Sequence, residues 1–160
     1  MQTFKTVVIA GLCVVLLNGC ATTDMTTVWF HEQVPENLPE SHVRQVQIKQ
    51  SGARLAVNPF PILTEKNLLG AKQTDLAGNS TILLFFDSHG AFILDEVTTR
   101  LQGQYLVVFL NRQPIMAWLV DHRLTDGQFL LETGSTAAEA AGLVKALNET
   151  IKQQHRDSLW

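Results

Sequence analysis

Apolar and polar positions begin to alternate near Val43. Val46 and Ile48 are spaced by Gln and Lys, Ser51-Gly52 supplies a turn, and Leu55 and Val57 resume the alternation, which predicts a hairpin with one buried face. Asn58-Pro59-Phe60-Pro61 stops the second strand, because proline has no N–H to give to a ladder. Residues 64–73 then predict a short helical piece or ordered loop, with Thr64 as N-cap and Leu68, Leu69 and Ala71 turned inward. Gly78-Asn79 precedes an apolar run over 81–86, too short for most helices and rich in β-formers, which reads as a central strand covered on both faces. From Gly90, Ile93, Val97 and Leu101 recur at helical spacing with Asp95, Glu96 and Arg100 opposite, and Gly103 sits where a C-capping glycine belongs. Strands follow at 105–110, 115–120 and 128–132, separated by turns at 111–114 and 125–127. Thr136 and Glu139 form a capping box for a last helix, whose stripe of Ala140, Leu143, Val144, Leu147 and Ile151 runs to about residue 153. This order of elements predicts an α+β fold, two principal helices packed on a mainly antiparallel sheet, over residues 43–154 and followed by a frayed tail at 155–160.

The pattern ahead of Val43 is of another kind. Lys5 is a positive n-region, and Val7 to Leu17 are an apolar stretch of eleven residues, well short of the roughly 20 needed to span a bilayer. It ends in Leu17-Asn18-Gly19-Cys20, the arrangement of a bacterial lipoprotein signal. A branched apolar residue stands three positions before the cleavage site, a small residue stands just before it, and a thiol receives the lipid. Residues 1–19 therefore read as a signal peptide cut between Gly19 and Cys20, with Cys20 as the acylated (diacylglycerol and palmitate) anchor. Ala21, in place of a retaining aspartate, points to the outer membrane, with the domain on its periplasmic face. Residues 20–42, rich in Thr, Asn, Glu and Pro, read as a tether. Within it the Trp29-Phe30 pair either docks on the domain or lies at the lipid interface.

Composition then excludes several classes. Cys13 leaves with the signal, so the mature chain keeps one cysteine, already a thioether, and neither a disulfide nor a thiolate site is expected. The net charge of −3 becomes −4 once Lys5 is lost, with no basic cluster, which argues against a nucleic-acid partner. The five histidines are dispersed, none paired at i, i+4, so neither metal nor cofactor is expected. Asp87 and His89 could bring an acid to an imidazole, but Asp87 or Ser88 also suits the N-cap of the helix near Gly90. Asp121-His122 precede a turn and read as solvent-facing. Gly134-Ser135-Thr136 could offer amides to an anion or simply cap the last helix.

Residues 81–140 resemble the head of the first periplasmic domain of SecD, a subunit of the bacterial translocase accessory complex. The apolar strand is followed by Gly90-Ala91-Phe92 opening a helix, Val97-Thr98-Thr99-Arg100, and Gly103 before Leu106-Val107-Val108-Phe109-Leu110. Leu124-Thr125-Asp126-Gly127-Gln128 and Thr136 to Ala140 complete the set, and Ile62-Leu63-Thr64, Leu69 and Ala71 extend the resemblance upstream, to residues 43–150 in all. Two departures stand out: Asn111-Arg112 replaces an Asp-Gly turn, and Trp118 replaces a proline. The membrane helices through which SecD is thought to use the proton gradient have no counterpart in the sequence. The resemblance implies a periplasmic fold that engages polypeptide, without catalytic residues and without proton-driven motor activity.

One candidate contact remains. Strand alternation places Ile115, Ala117 and Leu119 on one face and Met116, Trp118 and Val120 on the other, so Trp118, with Met116, is either core or a platform for a partner. The expectation is a lipid-anchored, non-enzymatic domain that binds a protein or peptide in the cell envelope or in secretion. The alternatives are a scaffold lipoprotein that self-associates and, more remotely, an envelope hydrolase built on Asp87 and His89.

Overall fold

The computed structural model describes residues 25–157; the signal peptide and the cleavage at Gly19-Cys20 expected from the sequence, with Ala21, lie outside them. The chain runs through β1 (Val28–Glu32), β2 (Arg44–Gln47), β3 (Arg54–Val57), β4 (Leu63–Thr64), β5 (Leu68–Leu76), β6 (Asn79–Phe86), α1 (Ser88–Arg100), β7 (Tyr105–Leu110), β8 (Gln113–Leu119), β9 (Gln128–Leu131) and α2 (Ala137–Asp157). Every pairing among these strands is antiparallel: one sheet in the order β4-β1-β7-β8, a second in the order β5-β6-β9, and the hairpin β2-β3. This is the α+β class expected. Among the described residues no helix is long and apolar enough to cross a membrane.

The tether expected over 20–42 must be shortened. Val28 to Glu32 form a central strand between β4 and β7, and Val28 and Phe30 are fully buried. Only five residues alternate here, flanked by polar chain, so composition hid the strand. Trp29-Phe30 docks on the domain: Phe30 meets Phe86 and Phe129 edge-on at 5.5 and 5.1 Å, while half-buried Trp29 points to the opposite face.

That strand explains the layering. Alternate residues of β1 and β7 (Val28, Phe30, Leu106 and Val108) face a main core shared with Ile82, Leu84, Phe86 and Leu131 and with Leu94, Val97, Leu147 and Ile151 of the helices. The intervening Val107 and Phe109 face the other way and are sealed by Val46, Ile48 and Val57 of the hairpin. β7 is thus apolar throughout because both its faces are covered.

Two further expectations need correction. Thr64 does cap, accepting from the Lys66 N–H at 3.3 Å, but it caps only a single 3-10 turn, Glu65–Asn67. The chain leaves this turn as the nine-residue strand β5, paired along its length with β6. A bulge between Leu68 and Gly70 turns Leu69 outward, where it is exposed, in place of the inward position expected. Asn148 of α2 covers the outer edge of β5, its side chain exchanging hydrogen bonds with Ala71 N and O at 2.8 and 2.9 Å, as a neighbouring strand would. The tail expected at 155–160 is helical to Asp157.

Candidate functional site

β8 is the outer strand of one sheet and β9 the outer strand of the other, and no ladder joins them. Between the two edges runs a groove of about 360 Å3, lined by Met116 and Trp118 of β8, Phe129 and Leu130 of β9, Leu83 behind them, and His122, Leu124 and Asp126 from the connecting segment. Trp118, left open by the sequence between core and surface, packs on the core with part of its ring and lines the groove with the rest. It is half-buried, with its ring edge-on to the core ring of Phe129 at 5.6 Å and to His122 at 5.4 Å. Its remaining surface and that of Met116 line the groove.

The strict alternation expected over 115–120 fails at one residue. Val108 pairs with Met116 but Phe109 with Pro114, so Ile115 is an extra residue in β8. This bulge places Ile115 against the main core beside Met116 and Trp118, while Ala117 alone faces the hairpin layer and Leu119 is exposed.

The groove walls also offer backbone. Val120 N–H donates to Gln104 O, which makes that pair hydrogen-bonded; alternation then leaves the N–H and C=O of Ala117 and Leu119 pointing away from β7. Phe86 N–H donates to Gly127 O, and the same alternation leaves Leu130 pointing away from β6. Nearby, the Gln50 side chain donates to the Glu132 carbonyl at 2.9 Å and the Lys49 backbone N–H to the Pro114 carbonyl at 3.2 Å, which ties the chain after β2 to the end of β9 and the start of β8. At the rim Asp126 accepts from Gln128 N–H at 3.1 Å, and the Glu132 carboxylate has no partner among the described residues. No lysine or arginine among them lines the groove.

The other residues singled out from sequence stay apart. Asp87 is the N-cap of α1, accepting from Gly90 N–H at 2.6 Å, and His89 is exposed in the first turn, so no acid–imidazole pair forms. Thr136 donates through both N–H and Oγ1 to Glu139 at 2.8 and 2.9 Å, so the cap's own carboxylate sits where an anion would. That contact holds the Glu139 carboxyl below the usual carboxylate range. A wider groove of about 620 Å3 beside Gly134, Ser135 and Thr136 is lined by the Ala77-Gly78 turn, whose Asp75 is engaged with Gly78 N–H at 2.9 Å. His122, expected to face solvent, is exposed and hydrogen-bonded to Asp121, yet its ring also packs on Trp118. No group of His, Cys, Asp and Glu among the described residues is placed to hold a metal.

Phe129, Leu130, Leu83 and Leu124 carried no sequence signal as site residues. Each reads as an ordinary strand or loop apolar residue until the two sheet edges are brought face to face.

Among curated proteins, no sequence matches the chain. Solved structures share its fold, among them two of SecDF. One, described as the structure and function of a membrane component SecDF that enhances protein export, aligns with a TM-score of 0.60 at 21% identity over 78% of this chain. The other, SecDF in a super-membrane-facing form, aligns with a TM-score of 0.61 at 21% identity, also over 78% of this chain. The match spans 62% of the first chain and 19% of the second. The sequence model of the SecDF P1 head subdomain matches residues 40–150, and by that match, carried on the fold described above, the chain belongs to the SecDF P1 head subdomain family.

Proposed function

We propose that the protein is a non-enzymatic binding module, anchored by acylated Cys20 and facing the periplasm from the outer membrane, that holds an extended segment of a protein partner between β8 and β9. The observation that carries this reading is the groove itself: two strand edges with unpaired backbone groups, floored by Trp118, Met116, Phe129 and Leu130. An extended segment laid there would hydrogen-bond Ala117 and Leu119 on one side and Leu130 on the other, and would bury apolar side chains on the aromatic floor. Asp126 and Glu132 at the rim, with no facing cation among the lining residues, favour a segment carrying lysine or arginine beside its apolar residues. The described SecDF enhances protein export, and a secretion or envelope accessory role suits a head of that family tethered to lipid.

The test is binding of a permanently unfolded polypeptide with apolar and basic residues, followed by fluorescence anisotropy. Trp118→Ala is expected to weaken it at least tenfold, about 1.4 kcal/mol, and Leu130→Glu, at an exposed position, to weaken it likewise. Affinity unchanged by both substitutions would overturn the proposal. Sedimentation to a stable oligomer that hides Trp118 would assign the groove to a second copy of the chain.

A further inference from the structure

The proposed anchor and the first pinned residue of the domain are close together in sequence. Cys20 precedes Thr26 by six residues. Thr26 N–H donates to Thr150 Oγ1 of α2 at 3.0 Å. One residue later, Thr27 N–H donates to Asn111 Oδ1 at 3.0 Å, and Asn111 N–H returns a bond to the Thr27 carbonyl at 2.9 Å. Val28 N–H then donates to Glu65 Oε2 at 3.2 Å, and Gln154 donates to the other Glu65 oxygen at 3.0 Å. The chain is thus fastened, from Thr26 on, to the β7–β8 turn, to the turn at 65–67 and to the second half of α2.

A polypeptide spans at most about 3.6 Å per residue, so six residues reach roughly 22 Å whatever their conformation. A domain of this length is roughly 35 Å across. The reach is shorter than the body it holds. We infer that the end of the domain bearing Asn111-Arg112, Lys66 and the last turns of α2 rests against the leaflet that holds the acyl chains, and that its partner there is the anionic phospholipid headgroup. The inference rests on the lipidation proposed above.

Charge agrees with the geometry. Exposed at this end are Lys66, Arg112, Lys152 and Arg156, against Glu149 and Asp157, a surplus of two positive charges on a chain whose formal net charge is −3. Within about 10 Å of an anionic surface such charges are only weakly screened. The arrangement also orients the groove. β8 leaves this end at Gln113, and at about 3.3 Å per residue Trp118 stands at most roughly 17 Å further along. The groove then opens sideways above the leaflet, and a partner reaches it along the membrane surface.

The mature chain, with its one cysteine acylated, accepts single thiol labels. The full-length acylated protein, carrying a fluorophore at Gln113→Cys or at Gln102→Cys, is reconstituted into vesicles containing anionic phospholipid and a headgroup-attached quencher. Gln113 lies at the anchored end of β7–β8, and Gln102 lies beyond the opposite end; both are exposed. The label at 113 should be quenched severalfold more than that at 102. A long Gly-Ser insertion ahead of Thr26, combined with Arg112→Glu and Arg156→Glu, should remove the difference. Equal quenching of the two labels in protein that is acylated and vesicle-bound would overturn the orientation and leave the anchor standing. A Cys20→Ser chain that stays on the membrane, or a wild-type chain whose mass shows no acylation, would overturn the anchor and the orientation with it.

Discussion

His31 is fully buried, and its two ring nitrogens are treated unequally. Nδ1 lies 2.8 Å from the Asn58 carbonyl, which can only accept, so Nδ1 carries the hydrogen and Nε2 keeps a lone pair. Nε2 is buried with no partner among the described residues, and the imidazole ring lies with its centroid 4.5 Å from that of Phe109. A proton added there would be a buried charge with no acceptor, beside the layer that also holds Arg44 over Phe109 at 5.2 Å. Burial accordingly lowers the imidazole pKa below 6.5, partly offset by the Asn58 hydrogen bond, with Arg44 lowering it further. The unfolded chain gains this proton near pH 6.5 and the folded chain only below its own lowered value. His31 therefore costs nothing above about pH 6.5, and stability is lost as pH falls through the window between the two values, by at most about 1.4 kcal/mol per pH unit. Urea midpoints measured from about pH 7 down to pH 5 should show this slope. His31→Gln keeps a donor for Asn58, removes the titration and should flatten it; an unchanged slope would refute the assignment.

The elements most legible in the sequence were those with long, unambiguous periods. The α2 stripe with its Thr136-Glu139 box, the β2–β3 hairpin and the strand β7 all stand where they were expected, but the cover on both faces expected of residues 81–86 belongs to β7, since β6 leaves Leu83 and Phe85 half-buried. Three features were not legible, each for a physical reason. β1 is too short to rise above its polar flanks. β5 carries Gly, Ala, Lys, Gln and Asp, which have little β-preference, against a single Thr, and is a strand because β6 and the Asn148 amide satisfy its backbone. The β8 bulge at Ile115 depends on pairing with β7 and is invisible in one strand alone. Trp118 and Met116 were legible as candidates and do line the groove, whereas its opposite wall was not legible, because β9 reaches it only through the topology of a second sheet. The turn preceding β8 shows how a departure from the family pattern is absorbed. Asn111 and Arg112 both take left-handed conformations, φ 49° and 67°, as a two-residue I′ hairpin turn requires. Asn111 is suited to this and is held by Thr27, but Arg112 bears the strain that glycine would avoid. Arg112→Gly should therefore stabilise the protein by about 0.5–1 kcal/mol, raising the thermal midpoint by a few degrees. A lowered midpoint would show that Arg112 contributes a contact worth more than its strain.

At the scale of the whole molecule, the boundary of the folding unit matters most. The family match begins at residue 40, yet β1 lies upstream of it and separates β4 from β7 in the centre of its sheet. Its removal would expose the inner edges of both neighbours, vacate the volume of Phe30 between Phe86 and Phe129, and open His31's layer beneath the hairpin. Loss of the Phe30 side chain alone costs about 3–5 kcal/mol in a packed core, against a total of roughly 5–15 kcal/mol for a domain. Deleting the whole strand adds the unmade ladder bonds and buried Val28, which exceeds that margin. A chain of residues 40–157 should therefore lack a cooperative thermal transition and be digested rapidly by protease, whereas residues 25–157 should fold. The peptide 25–39 added in trans should restore protease resistance to the shorter chain in a concentration-dependent way, because β1 is held by two antiparallel neighbours and needs no covalent link to pair. A cooperative melt from residues 40–157 alone would show that β7 and β4 close the core without β1. It would also return residues 25–39 to a tether of some 50 Å, long enough to free the head from the leaflet contact proposed above.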